Sequence, residues 1–252
     1  MLDDNELLRY SRQLMLADFD VAGQERLKAS SVLVVGLGGL GSPAAIYLAA
    51  AGVGRLILAD GDSVELSNLQ RQIAHGTQDC GHNKAASAAA HIAEINHHVK
   101  LQVVEQHLRE DTAPGLLAQV DAVVDATDNI ASRFALNRAA IKAGKPVVSA
   151  AAIRGEAQLT VFDPRRGGPC YRCLYDESAD DSTLSCSESG VLAPLVGVVG
   201  AWQAVEAIKL LTAYGSVLRS RMMVMDLKYG EVQQLAISAN PECPDCSHLK
   251  RQ

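Results

Sequence analysis

Short apolar runs alternate with longer, helix-like segments through much of the chain. Predicted strands lie at residues 31–35, 55–59, 100–105, 121–126, 146–151 and 156–162. Predicted helices lie between them, at residues 40–51, 83–96 and 129–143, and the last ends before Gly144, a usual residue after a helix. Apolar strands that alternate with helices are typical of a mainly parallel sheet covered on both faces. The pattern therefore predicts a doubly wound α/β fold.

The two ends of the chain follow other patterns. Residues 5–16 place apolar side chains at helical spacing, with Arg9 and Arg12 on one exposed face, and a short amphipathic piece follows at 24–28. An uncharged stretch at 189–205 leads into a helix that ends near residue 211, which we place in the core or at a subunit interface. Final strands at 221–226 and 231–237 predict a hairpin, which adds an antiparallel C-terminal extension to the sheet.

The composition argues against some classes of function. The 252 residues carry 23 basic against 29 acidic side chains, a formal net charge of −6, and 4% are aromatic. A chain with this acidic balance and so few aromatic side chains is not suited to binding DNA, RNA or an anionic membrane surface. The uncharged run at 29–54 could suggest a membrane helix, but its glycines and Pro43 fit a strand, a loop and a helix better, and no secretory signal is recognisable. We expect a cytoplasmic protein with no nucleic-acid or membrane partner.

A glycine-rich turn follows the first predicted strand and opens a helix. Gly36, Gly38 and Gly41 fit the GxGxxG pattern, with Gly39 inside it, and Asp60 ends the next strand at roughly the 20-residue spacing of a ribose-binding acid. The glycines allow a tight turn and the close approach of a ligand to the helix N-terminus. These features predict a Rossmann-like adenine-nucleotide site. In the alternative interpretation, the glycines only let the helix pack closely on the strand.

Residues beyond this turn indicate which nucleotide is bound. Asn68, Arg71 and Lys84 suit a triphosphate better than the flat nicotinamide pocket of an NAD-dependent oxidoreductase. Asp125 and Asp128 fall at the carboxyl edge of the sheet, where a carboxylate can hold magnesium. In the alternative interpretation, the cations are solvated surface charges and Asp128 caps the next helix. An NAD-dependent oxidoreductase and a non-catalytic nucleotide-sensing scaffold remain competing hypotheses.

Two CxxC pairs carry a separate signal. Four thiolates at this spacing form the closed tetrahedral site of structural zinc, with the ligands Cys170, Cys173, Cys243 and Cys246. A redox dithiol is the alternative, but neither pair opens a helix after a strand. The zinc would connect the C-terminus to a polar, irregular stretch at 163–190. Loops of this length are usually functional. In that loop Cys186 is either a nucleophile or a tolerated free thiol, and we expect Cys80 to be an ordinary small residue.

The order of the motifs resembles one family. The chain contains, in sequence, RYSRQ, VGLGGLGSP, LADGDSVELSNLQRQ, Lys84, DATDN, PCYRCL, GVLAPLVGVVGAWQAVEAIKLL and CPDC. From about residue 7 to residue 246 it resembles the MoeB/ThiF family of adenylyltransferases, relatives of the ubiquitin-activating E1 enzymes. The resemblance implies that ATP and magnesium adenylate the C-terminal glycine of a small β-grasp sulfur-carrier protein ending in Gly-Gly, with release of pyrophosphate.

The resemblance also implies roles for individual residues. Gly39 and Asp60 would bind the nucleoside part of ATP, Asp128 would hold magnesium, and Arg12 would reach the ATP site of the neighbouring subunit in a homodimer. The implied ATP-binding set is Gly36, Gly38, Gly39, Gly41, Asp60, Ser67, Asn68, Arg71, Lys84, Asp128 and Asn129, of which Arg71, Lys84 and Asp128 are catalytic. The four paired cysteines match the family's zinc ligands. Cys186 matches its loop cysteine, which sometimes forms a covalent link to the carrier.

Two branches of the family share these motifs. AAIRGEAQLTVF and GGPCYRCL favour the branch that serves molybdopterin synthase, while GSPAAIYLA and LADGD lean towards the thiamine branch. We favour the molybdopterin carrier and keep the thiamine carrier as the alternative, with a sulfurtransferase or cysteine desulfurase as a further implied partner. The predicted organisation is one domain over 1–252, divided into a helical arm (1–30), a nucleotide-binding core (31–162), the long loop (163–190), and a helix, hairpin and zinc tail (191–252).

Overall fold

The computed structural model describes residues 1–177 and 190–251. Within that part of the chain, eight strands form one sheet in the order β3–β2–β1–β4–β5–β6–β7–β8. The strands are β1 (Ser31–Val35), β2 (Arg55–Ala59), β3 (Lys100–Val104), β4 (Ala122–Asp125), β5 (Val147–Ile153), β6 (Glu156–Phe162), β7 (Arg221–Asp226) and β8 (Glu231–Ala236). Strands β1 to β5 run parallel, whereas β6, β7 and β8 pair antiparallel. The predicted mainly parallel sheet with an antiparallel extension is confirmed.

Helices cover both faces of this sheet. The helices are α1 (Asp4–Arg9), α2 (Ser11–Leu14), α3 (Asp20–Ala29), α4 (Gly41–Ala51), α5 (Lys84–Ile95), α6 (Ala113–Leu117), α7 (Ile130–Ala143) and α8 (Ala193–Thr212). α4, α5 and α8 pack in one layer, and α6 and α7 pack in the other. Along β1, Val34 faces the first layer and Leu33 faces the second, so successive side chains are buried on opposite faces. The doubly wound arrangement is confirmed, while α6 was not predicted.

The carboxyl ends of three central strands finish level with one another. Val35 of β1 pairs with Ala59 of β2 on one side and with Asp125 of β4 on the other. From β1 the sheet extends in two directions, through β2 and β3 on one side and through β4 and β5 on the other. Doubly wound folds bind ligands at this point, where the strand order reverses. The loops after β1, β2 and β4 therefore meet at one edge of the sheet.

Helix α8 is the apolar helix that the sequence predicts near the C-terminus. In the described residues it is the one helix long and apolar enough to cross a membrane by length and composition, and half of its apolar window is buried inside the protein. It packs against α4 and against β4, β5 and β6. Glu206, which is fully buried, pairs with Lys209 at 2.7 Å and accepts a hydrogen bond from the backbone of Leu218. These contacts agree with its predicted place in the core.

The N-terminal arm differs from the prediction. The predicted continuous helix at 5–16 breaks at Tyr10 into α1 and α2. The Tyr10 ring is buried, and its hydroxyl accepts a hydrogen bond from Nδ2 of Asn96 at 2.9 Å. The apolar side chains of Leu8 and Met15, expected on a buried face, are instead exposed. The break thus coincides with a long-range contact, which helical periodicity alone does not reveal.

Candidate active site

A cavity of about 460 Å³ opens at the edge where the loops after β1, β2 and β4 meet. Its lining includes most of the predicted ATP-binding residues: Gly36, Gly38, Gly39, Asp60, Arg71, Lys84, Asp128 and Asn129. Gly41, Ser67, Asn68 and Arg12 lie outside the lining. The fold thus brings together residues that are far apart in the sequence.

The glycine loop between β1 and α4 needs its glycines for two reasons. Gly36 has φ +88°, a left-handed conformation that favours glycine, and a Cβ there would lie 2.7 Å from the carbonyl oxygen of Ala126. At Gly41 a Cβ would lie 1.8 Å from the carbonyl oxygen of Gly36. The loop therefore turns tightly and leads the chain into α4, whose N-terminus carries a partial positive charge beside the cavity.

Asp60 supports the glycine loop as well as lining the cavity. Its Oδ2 accepts a hydrogen bond from the backbone N–H of Leu37 at 2.7 Å, and its Oδ1 accepts one from the backbone of Asp62 at 2.8 Å. The carboxylate is buried and held between two loops. Its position at the end of β2 is the place where doubly wound folds present an acid to a ribose.

The two predicted cations, Arg71 and Lys84, line the cavity, as does Arg133. Lys84, at the first position of α5, is buried, and its Nζ lies 2.9 Å from Oδ2 of Asp62. Arg71 is half-buried and donates one guanidinium N–H to the carbonyl oxygen of Ser67 at 3.1 Å. Ser67 is exposed, and the side chain of Asn68 accepts a hydrogen bond from the backbone of Glu65. Ser67 and Asn68 thus build the turn that presents Arg71.

The two aspartates at the end of β4 and in the loop after it differ in their surroundings. The buried Asp125 carboxylate accepts hydrogen bonds from the backbone and hydroxyl of Thr127 and from the hydroxyl of Ser149. Asp128 is exposed at the cavity, with Nδ2 of Asn129 at 3.5 Å. Asn129, not Asp128, caps α7, because its side chain accepts a hydrogen bond from the backbone of residue 132. Of these two aspartates, Asp128 is therefore the one that lines the cavity.

Arg12 lies on α2, away from the cavity of its own chain. Its side chain is exposed, and one guanidinium nitrogen lies 3.9 Å from Sδ of Met15. The exposed apolar side chains of Leu8, Met15 and Leu16 lie on the same arm. The geometry of the single chain leaves the role of Arg12 in a neighbouring subunit as a prediction.

Gln72 and His107 are among the cavity residues that sequence reasoning missed. Gln72 is buried, and its Oε1 has no hydrogen-bond partner among the described residues. Its amide nitrogen lies 3.5 Å from the position that a Cβ would occupy at Gly38, so the side chain borders the glycine loop. His107, whose Nε2 lies 3.4 Å from Oδ1 of Asp62, lines the same cavity. The only sequence signal for Gln72 is that it directly follows the predicted cation Arg71.

The paired cysteines come together as predicted. Their four Sγ atoms lie within 4.8 Å of one another, with measured separations of 3.8 Å, 3.6 Å and 3.5 Å between Cys170 and Cys173, Cys170 and Cys243, and Cys173 and Cys246. Tetrahedral zinc with bonds of about 2.3 Å sets its sulfur ligands about 3.8 Å apart. Burial raises the pKa of Cys170, and that of Cys246 to about 12. The sulfur separations match a four-thiolate site, so the cluster could hold zinc, whose charge would favour the ionised thiols.

Asn137 of α7 ties the two halves of the cluster together. Its Nδ2 donates to Oδ2 of Asp245 at 2.9 Å and lies 3.8 Å from Sγ of Cys170, while its Oδ1 accepts from the backbone N–H of Tyr171. A buried asparagine at this position thus fixes the outer side of the cysteine cluster. Cys80 is exposed, and Cys186 lies outside the described residues.

The ThiF family model matches residues 10–245, a span that contains the whole cavity and three of the four clustered cysteines. The chain belongs to the ThiF family. This ThiF-family chain is 46% identical to the molybdopterin-synthase adenylyltransferase of Escherichia coli (strain K12), over 97% of this chain and 98% of that protein. It is 43% identical to the adenylyltransferase and sulfurtransferase MOCS3 of Anopheles gambiae, over 98% of this chain and 56% of that protein.

The fold of this ThiF-family chain is also that of a solved structure. The E. coli MccB crystallised with ATP aligns with a TM-score of 0.83 at 23% identity, over 97% of this chain and 75% of that chain. At this identity the likeness concerns the fold. The doubly wound sheet with its antiparallel extension is therefore the shared framework on which the ThiF-family site is built.

Proposed function

We propose that this chain is an ATP-dependent adenylyltransferase that activates the C-terminal glycine of a small sulfur-carrier protein in molybdopterin biosynthesis. The observation that carries the proposal is the cavity, where the glycine loop and Asp60 meet the cations Arg71 and Lys84. The near full-length similarity to the E. coli molybdopterin-synthase adenylyltransferase supports the reaction and the carrier. The thiamine carrier remains the alternative substrate.

The reaction joins two anions, and the residues present suit that task. An oxygen of the carrier's C-terminal carboxylate attacks the α-phosphorus of ATP and forms an acyl–phosphate bond. The bond from the α-phosphorus to its bridging oxygen breaks, and pyrophosphate leaves with the electron pair. No general base is needed, because a carboxylate is already ionised at neutral pH. Lys84 and Arg71 would offset the negative charge on the phosphates and so stabilise the transition state of this nucleotidyl transfer.

Both cations could donate to a bound triphosphate while keeping their present partners. Lys84 is held by Asp62 at 2.9 Å, and Arg71 by a single hydrogen bond to the Ser67 carbonyl oxygen. A guanidinium has five N–H donors, so Arg71 can keep this bond and still donate to phosphate oxygens. The ammonium of Lys84 can likewise share its three donors between Asp62 and a phosphate.

Magnesium is proposed at Asp128. The carboxylate of Asp128 faces the cavity, whereas that of Asp125 is engaged by Thr127 and Ser149. When bound, magnesium would neutralise phosphate charge, and it prefers one or two protein oxygens with phosphate oxygens and water. Asp128 supplies such an oxygen at the cavity edge.

The active unit is proposed to be a cytoplasmic homodimer in which Arg12 completes the partner's ATP site. The exposure of Arg12 beside the apolar side chains of Leu8 and Met15 supports a second copy on this arm. A sulfurtransferase or cysteine desulfurase would then supply sulfur to the acyl-adenylate. Cys186 is proposed as a thiol for a covalent link to the carrier. Its replacement by alanine would leave adenylation intact, and sulfur transfer that also continued unchanged would rule out the link.

ATP–pyrophosphate exchange with magnesium, measured with a purified molybdopterin carrier and a purified thiamine carrier, tests the proposal. We expect exchange that requires a carrier ending in Gly-Gly and is faster with the molybdopterin carrier. Asp128→Ala should lower it by about 100-fold or more while the zinc content is kept, and Asp111→Ala, an exposed control, should not. Near-normal exchange by Asp128→Ala would refute the magnesium role. Tight NAD binding without exchange would favour the oxidoreductase hypothesis, and ATP binding without exchange the scaffold.

A further inference from the structure

One residue of the glycine loop has both its backbone N–H and its backbone carbonyl oxygen bound by side chains. Leu37, buried in the middle of the loop, donates its backbone N–H to Oδ2 of Asp60 at 2.7 Å. Its carbonyl oxygen accepts a hydrogen bond from Oγ of Ser42 at 3.1 Å and lies 2.9 Å from Nε2 of His75. The loop conformation therefore depends on three side chains, and one of them is a histidine to which neither the sequence nor the proposed reaction gives a role.

The hydrogen-bond partners define the state of the His75 ring. A carbonyl oxygen only accepts, so Nε2 carries the hydrogen that Leu37 receives. In the neutral ring Nδ1 is an acceptor, and Oγ of Ser87, 2.9 Å away, donates to it. Burial is the main reason that the pKa of His75 lies below its usual value, which favours this neutral form. The charged groups that act on the ring are Lys84, Asp79 and Asp60.

The second partner of the ring connects the loop to a cation. Ser87 lies on α5, one turn after Lys84, the buried lysine that lines the cavity. His75 itself does not line the cavity, although Gln72, one turn earlier in its segment, does. The imidazole therefore bridges the glycine loop and the helix that presents Lys84.

We propose that His75 is a positioning residue for the nucleotide: its Nε2–H holds the Leu37 carbonyl, and thereby keeps the glycine loop in register with Lys84 for the phosphates of ATP. The inference rests on ATP occupying the cavity, as proposed above. His75 touches no reacting atom and acts through Leu37. If its role were only structural, substitution would reduce the folded fraction, which lowers the apparent kcat and leaves KM unchanged.

Two substitutions separate these roles. A glutamine amide nitrogen reaches about as far as imidazole Nε2, so His75→Gln keeps a donor for Leu37, whereas the shorter His75→Asn keeps only a partner for Ser87. In ATP–pyrophosphate exchange, we expect His75→Asn to raise the KM for ATP by about 3- to 10-fold, the value of one hydrogen bond, without changing the KM for the carrier. His75→Gln should stay within about 2-fold of the wild type. Equal KM values for ATP in the wild type and both variants would overturn the role.

A further measurement uses the wild-type protein, so it does not depend on a variant that folds. Long-range ¹H–¹⁵N NMR should show His75 as the neutral Nε2–H tautomer, with and without ATP. A neutral Nδ1–H tautomer would overturn the proposal. Calorimetric titration with ATP then separates the two proposals. A wild type that binds no ATP removes both. If the wild type binds ATP and His75→Asn binds it with the same affinity, only the role of His75 is removed.

Discussion

The contact between α8 and the start of α4 allows a direct test of how the fold supports the glycine loop. A Cβ at Gly200 would lie 2.2 Å from the carbonyl oxygen of Leu40 and 2.6 Å from Cγ of Pro43. A Cβ at Gly197, one turn earlier on α8, would meet no atom of the described residues within 4 Å. Gly200→Ala and Gly197→Ala are therefore matched: they add the same methyl group to the same helix, one against backbone and the other into open space.

The expected magnitudes follow from this geometry. Alanine is favoured over glycine inside a helix by about 0.8 to 1 kcal/mol, and this gain is common to both variants. A carbon–oxygen contact of about 3.3 Å requires the Leu40 carbonyl to retreat by about 1 Å. Inserting a methyl group into a packed core costs about 1 to 3 kcal/mol. We therefore expect the free energy of unfolding of Gly200→Ala to lie about 1 to 3 kcal/mol below that of Gly197→Ala.

Urea unfolding of the zinc-loaded proteins, followed by circular dichroism, measures this difference, provided that both variants show the wild-type m-value. Because Leu40 leads into the N-terminus of α4 beside the cavity, Gly200→Ala should also weaken ATP binding, and Gly197→Ala should not. Equal unfolding free energies in the two variants, or a Gly200→Ala protein more stable than the wild type, would refute the packing argument.

Three other perturbations have defined outcomes. Cys243→Ser should lower the bound zinc well below one equivalent and the Tm by more than about 5 °C, measured by metal analysis and calorimetry; an unchanged Tm would contradict a structural zinc. Asn83→Ala should cost about 1 to 2 kcal/mol in urea unfolding, since Asn83 caps α5 and its Nδ2 donates to the carbonyl oxygens of Asp60 and Asp62; Asn83→Asp should lose less, because it keeps the cap acceptor and loses only the two donated bonds. The pKa of His75 is lowered from 6.5 in the folded protein, so the unfolded chain binds that proton more readily. The wild type should therefore lose unfolding free energy as the pH falls below 6.5, and His75→Gln should lose less; parallel pH profiles would contradict this.

The alternating elements could be predicted because burial leaves a clear period in the sequence. β1 is buried on both faces and reads as a continuous apolar run, and α7 ends at Gly144, whose φ of +67° suits glycine. The break at Tyr10 could not be predicted, because the apolar spacing continues through it. At the break, the buried Tyr10 hydroxyl meets Asn96, a contact between segments far apart in the chain.

The residues of the candidate site likewise include some that the sequence predicts and others that it does not. Groups whose chemistry restricts the residue type, such as the glycine loop and the paired cysteines, could be predicted from type and spacing. His75 and Gln72 could not, because histidine and glutamine occur in many surface segments and only the folded chain buries them beside the glycine loop. The contacts that place His75 and Gln72 beside the glycine loop leave no local pattern in the sequence.

Helix α7 connects the cavity to the cysteine cluster. Asn129 caps its first turn at the cavity, and Asn137, two turns further on, binds Asp245 and the backbone of Tyr171 beside the cluster. Tyr171 directly follows Cys170, and its ring lines the cavity. A tetrahedral four-thiolate site has no open position for substrate chemistry. Tyr171 and α7 connect the cluster to the nucleotide site, so zinc would support one wall of the cavity without taking part in the reaction.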